Sequence, residues 1–210
     1  MPIICLEGAS GVGKSTTSRE LIKRWDAYIV PEVNELFKRP PVMPENWYFE
    51  RQVERWEIAQ EKSHKYEWVV LDGDVFQPLW YNWSYNFEVF GQSLEKICDF
   101  YRAHLESGTV AFPDHYFLLC VGVAELRKRK ENDATRRREN FEKHLKIIEP
   151  QKRYFQEMDR RATGYVNFIE AAEVQKNVER IVAANAASLD RQNSLDLFDG
   201  MTDWLKANRA

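Results

Sequence analysis

Apolar runs and helical periodicities alternate along the chain. Pro2-Ile-Ile-Cys-Leu-Glu7 is a short apolar run that predicts a buried parallel strand. A helical pattern follows from about Lys14 to Trp25, with Leu21, Ile22 and Trp25 on one face. Ala27 to Val30 fits a second strand, stopped by Pro31. Residues 31 to 46 hold prolines 31, 40, 41 and 44, which predict a loop or broken helix. Phe49, Val53, Trp56 and Ala59 or Gln60 then keep helical spacing from about Trp47 to Lys65. Trp68-Val-Val-Leu71 predicts a third strand, ending at Asp72-Gly73-Asp74.

The alternation continues to the C-terminal part. Gln92 to Ser107 reads as a helix closed by Gly108 in the C′ position. His115 to Val121 predicts a fourth strand, and about Ala124 to Glu131 a charged helix. One long amphipathic helix is expected from about 139 to 161, a fifth strand at Tyr165 to Ile169, and a helix at Glu173 to Ala187. Strands alternating with helices predict an α/β fold, a five-stranded parallel sheet with helices on both faces. The expected division is one domain over 1–187 and a tail over 188–210, whose stripe of Leu195, Leu197, Phe198, Met201, Trp204 and Leu205 predicts a docked helix.

Composition narrows the class. Of 210 residues, 44% are hydrophobic and 30% charged, which excludes collagen-like and wholly disordered chains. Three cysteines without metal-like spacing suggest a reduced, cytoplasmic protein. No uncharged run approaches the roughly 18 residues of a membrane span, and no secretory signal is expected. A net charge of −3 argues against a surface wholly given to nucleic acid or anionic membrane.

The strongest motif is Gly8-x-x-x-x-Gly13-Lys14-Ser15, a full Walker A pattern between a strand and a helix. Glycines 8, 11 and 13 permit positive φ, so backbone N–H groups converge on phosphate. The following helix adds the positive end of its dipole. Gly8, Ser10, Gly11, Val12, Gly13, Lys14, Ser15 and Thr16 are therefore assigned to nucleotide, with Lys14 on the β- and γ-phosphates and Ser15 on Mg²⁺. The chain lacks Asn-Lys-x-Asp and Leu-Ser-Gly-Gly-Gln, signatures of GTPases and transporter ATPases. Its length argues against an AAA+ module with a helical lid domain.

What remains resembles the P-loop nucleoside and nucleotide kinase group: deoxynucleoside kinases, thymidylate kinase and the nicotinamide-riboside-kinase-like ATPases. Besides the loop, the resemblance rests on Val30-Pro-Glu32-Val33, on Asp72-Gly73-Asp74, on Leu126-Arg-Lys-Arg-Lys130 with arginines 136–138, and on Val166-Asn-Phe-Ile169. It implies a three-layer P-loop NTPase fold with an arginine-bearing lid at about 131–140. It also implies ATP and Mg²⁺ as cofactors, a small-molecule acceptor and a possible homodimer. The pattern departs at Asp72-Gly73, where deoxynucleoside kinases usually place an acid followed by arginine.

The resemblance assigns roles. Asp72, as a Walker B acid, would hold Mg²⁺ with Ser15; Asp74 would share that task or face the acceptor. Glu32 would orient or deprotonate the acceptor hydroxyl, its plainer reading being a first-turn helix acid. Arg136 and Arg138 would meet the transferring phosphoryl, with Arg127 or Arg129 as further candidates. Seven of the 28 aromatics fall between Phe76 and Phe90. Of these, Phe76, Trp80 and Tyr81 are expected in the acceptor pocket, with Trp47 and Tyr48 opposite. The histidines are expected to be structural or superficial.

Function then reads as ATP- and Mg-dependent transfer of a γ-phosphoryl group to a nucleoside or nucleotide. An antibiotic or other natural-product hydroxyl is the alternative acceptor. A nucleotide-operated switch and a polynucleotide end-kinase are the competing classes. The end-kinase draws on the 13 Lys/Arg against 8 Asp/Glu counted from Ala124 to Arg161.

Overall fold

The computed structural model describes residues 1–87, 91–132, 141–185 and 194–209. Five strands, β1 (Ile3–Gly8), β2 (Ala27–Val30), β3 (Trp68–Asp72), β4 (His115–Cys120) and β5 (Val166–Glu170), form one sheet in the order β2-β3-β1-β4-β5. Every pairing is parallel. The α/β architecture expected from the alternation is the one observed.

Side-chain alternation along the strands splits the core into two layers. Ile3, Cys5, Val69, Leu71, Tyr116, Leu118 and Val166 face one side. There they meet α3 (Trp47–Ser63), α4 (Gln77–Trp83), α5 (Leu94–Glu106), α8 (Ile148–Arg161) and α10 (Ser194–Ala207). Ile4, Leu6, Val70, Phe117, Leu119 and Ile169 face the other. There they meet α1 (Lys14–Ile22), α6 (Val123–Glu131), α7 (Phe141–Leu145) and α9 (Val174–Asn185). Most buried aromatics lie in the first layer, where five helices must be filled against one sheet face. The helix α10 packs on α5 and α8 through Leu197, Phe198, Met201 and Leu205.

Several elements differ from the sequence expectation. The single helix expected over 139–161 is two, α7 and α8, parted at Lys146 and Ile147. Pro150 explains the break: it lacks an N–H and its ring excludes the carbonyl four residues earlier, so it is accommodated only in a helix's first turn. The proline-rich segment holds one short turn, α2 (Val33–Leu36). The aromatic segment after β3 is itself a helix, α4, with Pro78 at its start. Its Pro78, Leu79, Trp80, Asn82 and Trp83 are buried, so no polar face betrays a helical period in the sequence.

Order within the sheet positions the site. β1 is central, with β3 and β4 on its two sides, and the chain leaves β1 directly into the glycine loop. Leu6 is paired with Asp72 and Gly8 with Leu119, so the ends of three strands open on one crevice. In open parallel sheets that switch point is where ligands bind.

Candidate active site

The loop's backbone is held in the form that phosphate binding needs. Gly8, Gly11 and Gly13 have φ of 136°, 89° and 110°. A Cβ on Gly8 would lie 2.4 Å from the Leu119 carbonyl oxygen, so no larger residue fits there. Gly13 caps α1 without a side-chain hydrogen bond, which leaves the first N–H groups of that helix for an anion. Val12 is buried in the second core layer and pins the middle of the loop.

Charged groups converge beside it. The Lys14 Nζ donates to the Gly8 carbonyl at 3.1 Å and stands 3.6 Å from Glu32 Oε1. Burial pulls the lysine pKa down, but Glu32, Glu7 and Asp72 outweigh it and hold the ammonium charged. The Ser15 hydroxyl donates to Asp72 Oδ2 at 3.0 Å. Asp72 Oδ1 is buried without a partner among the described residues. Burial raises the Asp72 pKa, with Lys14 and the Ser15 hydrogen bond opposing. The Glu32 side chain is 50% exposed, so one of these acids faces solvent while its neighbour Lys14 is held inside.

A second set of acids lies deeper. Glu7, the last side chain before the loop, is buried; its Oε2 accepts from the Asp74 backbone N–H at 3.1 Å and its Oε1 from Gln151 Nε2 at 3.2 Å. Asp74 Oδ1 accepts from the Phe76 N–H at 3.1 Å and from the Tyr116 hydroxyl at 2.8 Å. Burial pushes Glu7 up to about 7 and Asp74 up to about 6. Arg55, 1% exposed, ties the strand ends together. Its guanidinium donates to the carbonyls of Pro31, Asp72 and Gly73 and to Gln52 Oε1. It thereby fixes the backbone just before Glu32 and at Asp72-Gly73.

These groups open into one cavity of about 1330 Å³. That exceeds the roughly 300–1,000 Å³ of a site for one drug-sized ligand, leaving room for two reactants. One end is walled by Thr16, Arg19, Lys128, Arg129, Ala172 and Asn177, the other by Tyr48, Gln77, Trp80, Tyr81, Lys143 and His144. Arg129 bridges the walls of the first end, donating to the Val12 carbonyl at 2.8 Å and the Ala171 carbonyl at 2.7 Å.

The expected site residues distribute unevenly. Gly8 to Thr16, Glu32, Asp72, Asp74, Trp80 and Tyr81 all line the cavity. Phe76 does not: it is fully buried and stacks on Phe112 at 4.1 Å, because it lies at the core-facing start of α4. Trp47 is likewise buried outside the cavity wall, whereas Tyr48 lines it and donates to Gln77 Oε1 at 2.7 Å. Arg136 and Arg138 lie outside the described residues. Arg127 pairs with Glu142 at the surface, so Arg129 is the inward-facing one of the two. His144, expected to be structural or superficial, lines the cavity and lies 3.3 Å from the Tyr81 hydroxyl.

Glu7, Arg55, Gln77 and Gln151 were not foreseen from the sequence. Glu7 had a signal, a lone acid ending an apolar strand. The other three are polar residues within helices, and only the fold brings them to the strand ends.

The oxygen ligands at Ser15 and Asp72 suit Mg²⁺, a hard cation that prefers carboxylate, hydroxyl and phosphate oxygen. Asp72 Oδ1 has the free lone pairs for it. No cluster of three or more His, Cys, Asp or Glu forms a metal cage among the described residues. A metal here would therefore be shared with a ligand's phosphates, as Mg²⁺ commonly is.

Residues 3–161 match a family described as AAA domain. No curated protein matches the chain. Among solved structures, a deoxyadenosine kinase from M. mycoides with bound dATP superposes with a TM-score of 0.58 at 17% identity, over 88% of this chain and 100% of that one. Thymidylate kinase from Candida albicans superposes with a TM-score of 0.61 at 14% identity, over 88% of this chain and 92% of that one. At such identities the likeness is one of fold, and it is the kinase fold that the strand order and loop describe.

Proposed function

From the premise that the chain belongs to the AAA-domain family, we propose that it is a phosphotransferase. It would move the γ-phosphoryl group of Mg-ATP to a small-molecule hydroxyl or phosphate, first of all on a nucleoside or nucleotide. One observation carries this reading: Lys14, Ser15 and Asp72 meet a half-exposed carboxylate, Glu32, at the centre of a cavity with room for two reactants. A loop that only hydrolysed or sensed its nucleotide would need no such space beyond that carboxylate.

The roles follow from position. The loop N–H groups and Lys14 hold the triphosphate and offset charge as the phosphoryl group moves. Ser15 and Asp72 would hold Mg²⁺, which supplies charge neutralisation across the phosphate oxygens. Glu32, beside Lys14 and open to the cavity, would orient an acceptor hydroxyl or take its proton. Arg129 joins loop and wall, and the lid arginines 136 and 138 remain candidates for the departing charge. Over 124–161, Arg127, Arg129, Arg160 and Arg161 are paired with acids, which leaves those four less available to a polynucleotide's phosphates.

The test is an acceptor screen: nucleosides, nucleotides and amino-sugar antibiotics, read by ATP consumption. Consumption that depends on one acceptor class and vanishes in Lys14→Ala supports the reading. ATP turnover that no acceptor accelerates would point instead to a nucleotide-operated switch.

A further inference from the structure

The helix α4 is too short to place itself. It has seven residues, about two turns, and an isolated helix of that length does not persist in water. Gln77, Pro78, Trp80, Tyr81 and Asn82 line the cavity. Leu79 and Trp83, one turn apart, do not; both are buried in the first core layer. Where the cavity side of α4 stands therefore depends on what holds its back.

Trp83 is held by a part of the chain far away in sequence. Its Nε1 donates to the Asn208 carbonyl at 2.8 Å, and Asn208 Nδ2 donates to the Trp204 carbonyl at 2.8 Å, closing the end of α10. The Trp83 and Trp204 rings lie 5.1 Å apart. The Arg153 guanidinium of α8 stands over both, 5.5 Å from the Trp83 centroid and 5.9 Å from that of Trp204. At the other end, Phe76, the residue before α4, lies 6.3 Å from Phe198 of α10. The helix α10 therefore touches both ends of α4, and the Arg102–Asp199 pair ties α10 to α5.

The Trp83 contact is directional. An apolar ring filling space can slide, whereas an indole N–H spent on one carbonyl fixes its register. Trp56, just as deeply buried, has no such partner among the described residues. The phosphate loop and α1 pack in the other core layer, across the sheet from α10.

We propose that Trp204 and Asn208 are positioning residues for the acceptor side of the cavity: through Trp83, α10 sets where α4 stands and leaves the phosphate loop untouched. This rests on the phosphotransferase reading for the identity of that side, and it adds a remote element that controls it.

The experiment is amide hydrogen exchange on the full chain with ADP bound, followed over residues 77–83. In Trp204→Ala, exchange there should quicken by roughly tenfold while ADP affinity stays within about twofold. Trp204→Phe, which keeps a ring against Trp83, should restore most of the protection. Trp83→Phe keeps the core filled and removes only the N–H, so it tests the link even if Trp204→Ala does not fold; exchange should rise by roughly threefold. Met201→Ala loosens the same helix without touching the indole pair, and at an equal loss of stability it should quicken α4 less than Trp204→Ala does. With any acceptor that turns over, its KM should rise by roughly fivefold in Trp204→Ala, with the KM for ATP within about twofold. Unchanged α4 exchange in Trp83→Phe, equal quickening in Met201→Ala, or ADP affinity falling in step would each overturn the proposal. A protein whose α4 responds in this way but which phosphorylates nothing would contradict the phosphotransferase reading and leave the coupling of α10 to α4 standing.

Discussion

At the loop end of the cavity the binding groups are largely backbone, whereas at the α4 end they are side chains. There the phosphate-facing stretch is one contiguous segment, Gly8 to Thr16, shaped by three positive-φ glycines and by the start of α1. The α4 end draws Tyr48 from α3, Gln77, Trp80 and Tyr81 from α4, and His144 from α7. A phosphate chain is chemically constant, so peptide N–H groups and one lysine suffice to hold it. An acceptor varies, and side chains on separate helices can be exchanged without disturbing the sheet. Between the two ends sit Glu32 and Asp72, held on strand ends that Arg55 fastens together.

Substitutions should separate the two ends. Lys14→Ala removes the cation of the loop end, and turnover should fall by roughly 10³-fold, measured as labelled product per minute. A loss of less than tenfold would break the assignment of that end to phosphate. Glu32→Gln should lower turnover by roughly 10²-fold while leaving ADP affinity within about twofold, as the proposed acceptor-side role requires. Equal losses in both quantities would mean that the carboxylate serves the nucleotide instead.

Arg55→Lys tests the junction itself. A lysine cannot serve three carbonyls and an amide at once, so unfolding free energy should drop by about 2 kcal/mol in urea titrations. Stability equal to wild type would show that the strand ends need no such fastening.

Stability should also depend on pH. Glu7 has a folded pKa of about 7 against an ordinary 4.5, so the folded state holds its proton more tightly than the unfolded chain. The associated stability is present below about pH 4.5 and is lost as pH rises through about 7. Asp74, raised to about 6, acts in the same direction. The denaturation midpoint should therefore decline across that window, and Glu7→Gln should flatten the decline. An unchanged slope in Glu7→Gln would place the proton elsewhere.

The same contrast explains what could be read from the sequence. The loop end was legible because its chemistry is local: a fixed spacing of glycines, Lys14 and Ser15 between a strand and a helix. Asp72 was legible because it ends an apolar run, and the parallel sheet because such runs alternate with helical stretches. The α4 end was not. A segment buried on nearly all sides has no polar stripe, so Phe76, Trp80 and Tyr81 could not be sorted from one another. Only the fold shows that Phe76 enters the core against Phe112 while Trp80 and Tyr81 face the cavity. Arg55 reaches the site from mid-helix and Gln151 from the first turns of α8, where polar residues usually mark a solvent face or a helix start. The break between α7 and α8 was signalled by Pro150, which outweighs the amphipathic period around it.

Phosphoryl transfer between two reactants bound in this cavity is what distinguishes a kinase from a switch. Its most direct test uses γ-labelled ATP with a mixture of nucleosides and nucleotides, resolving products on wild type and on Glu32→Gln. Wild type should place label on an organic acceptor, and Glu32→Gln should lose that product with nucleotide binding retained. Label appearing only as inorganic phosphate, at a rate indifferent to the mixture and to Glu32, would contradict it.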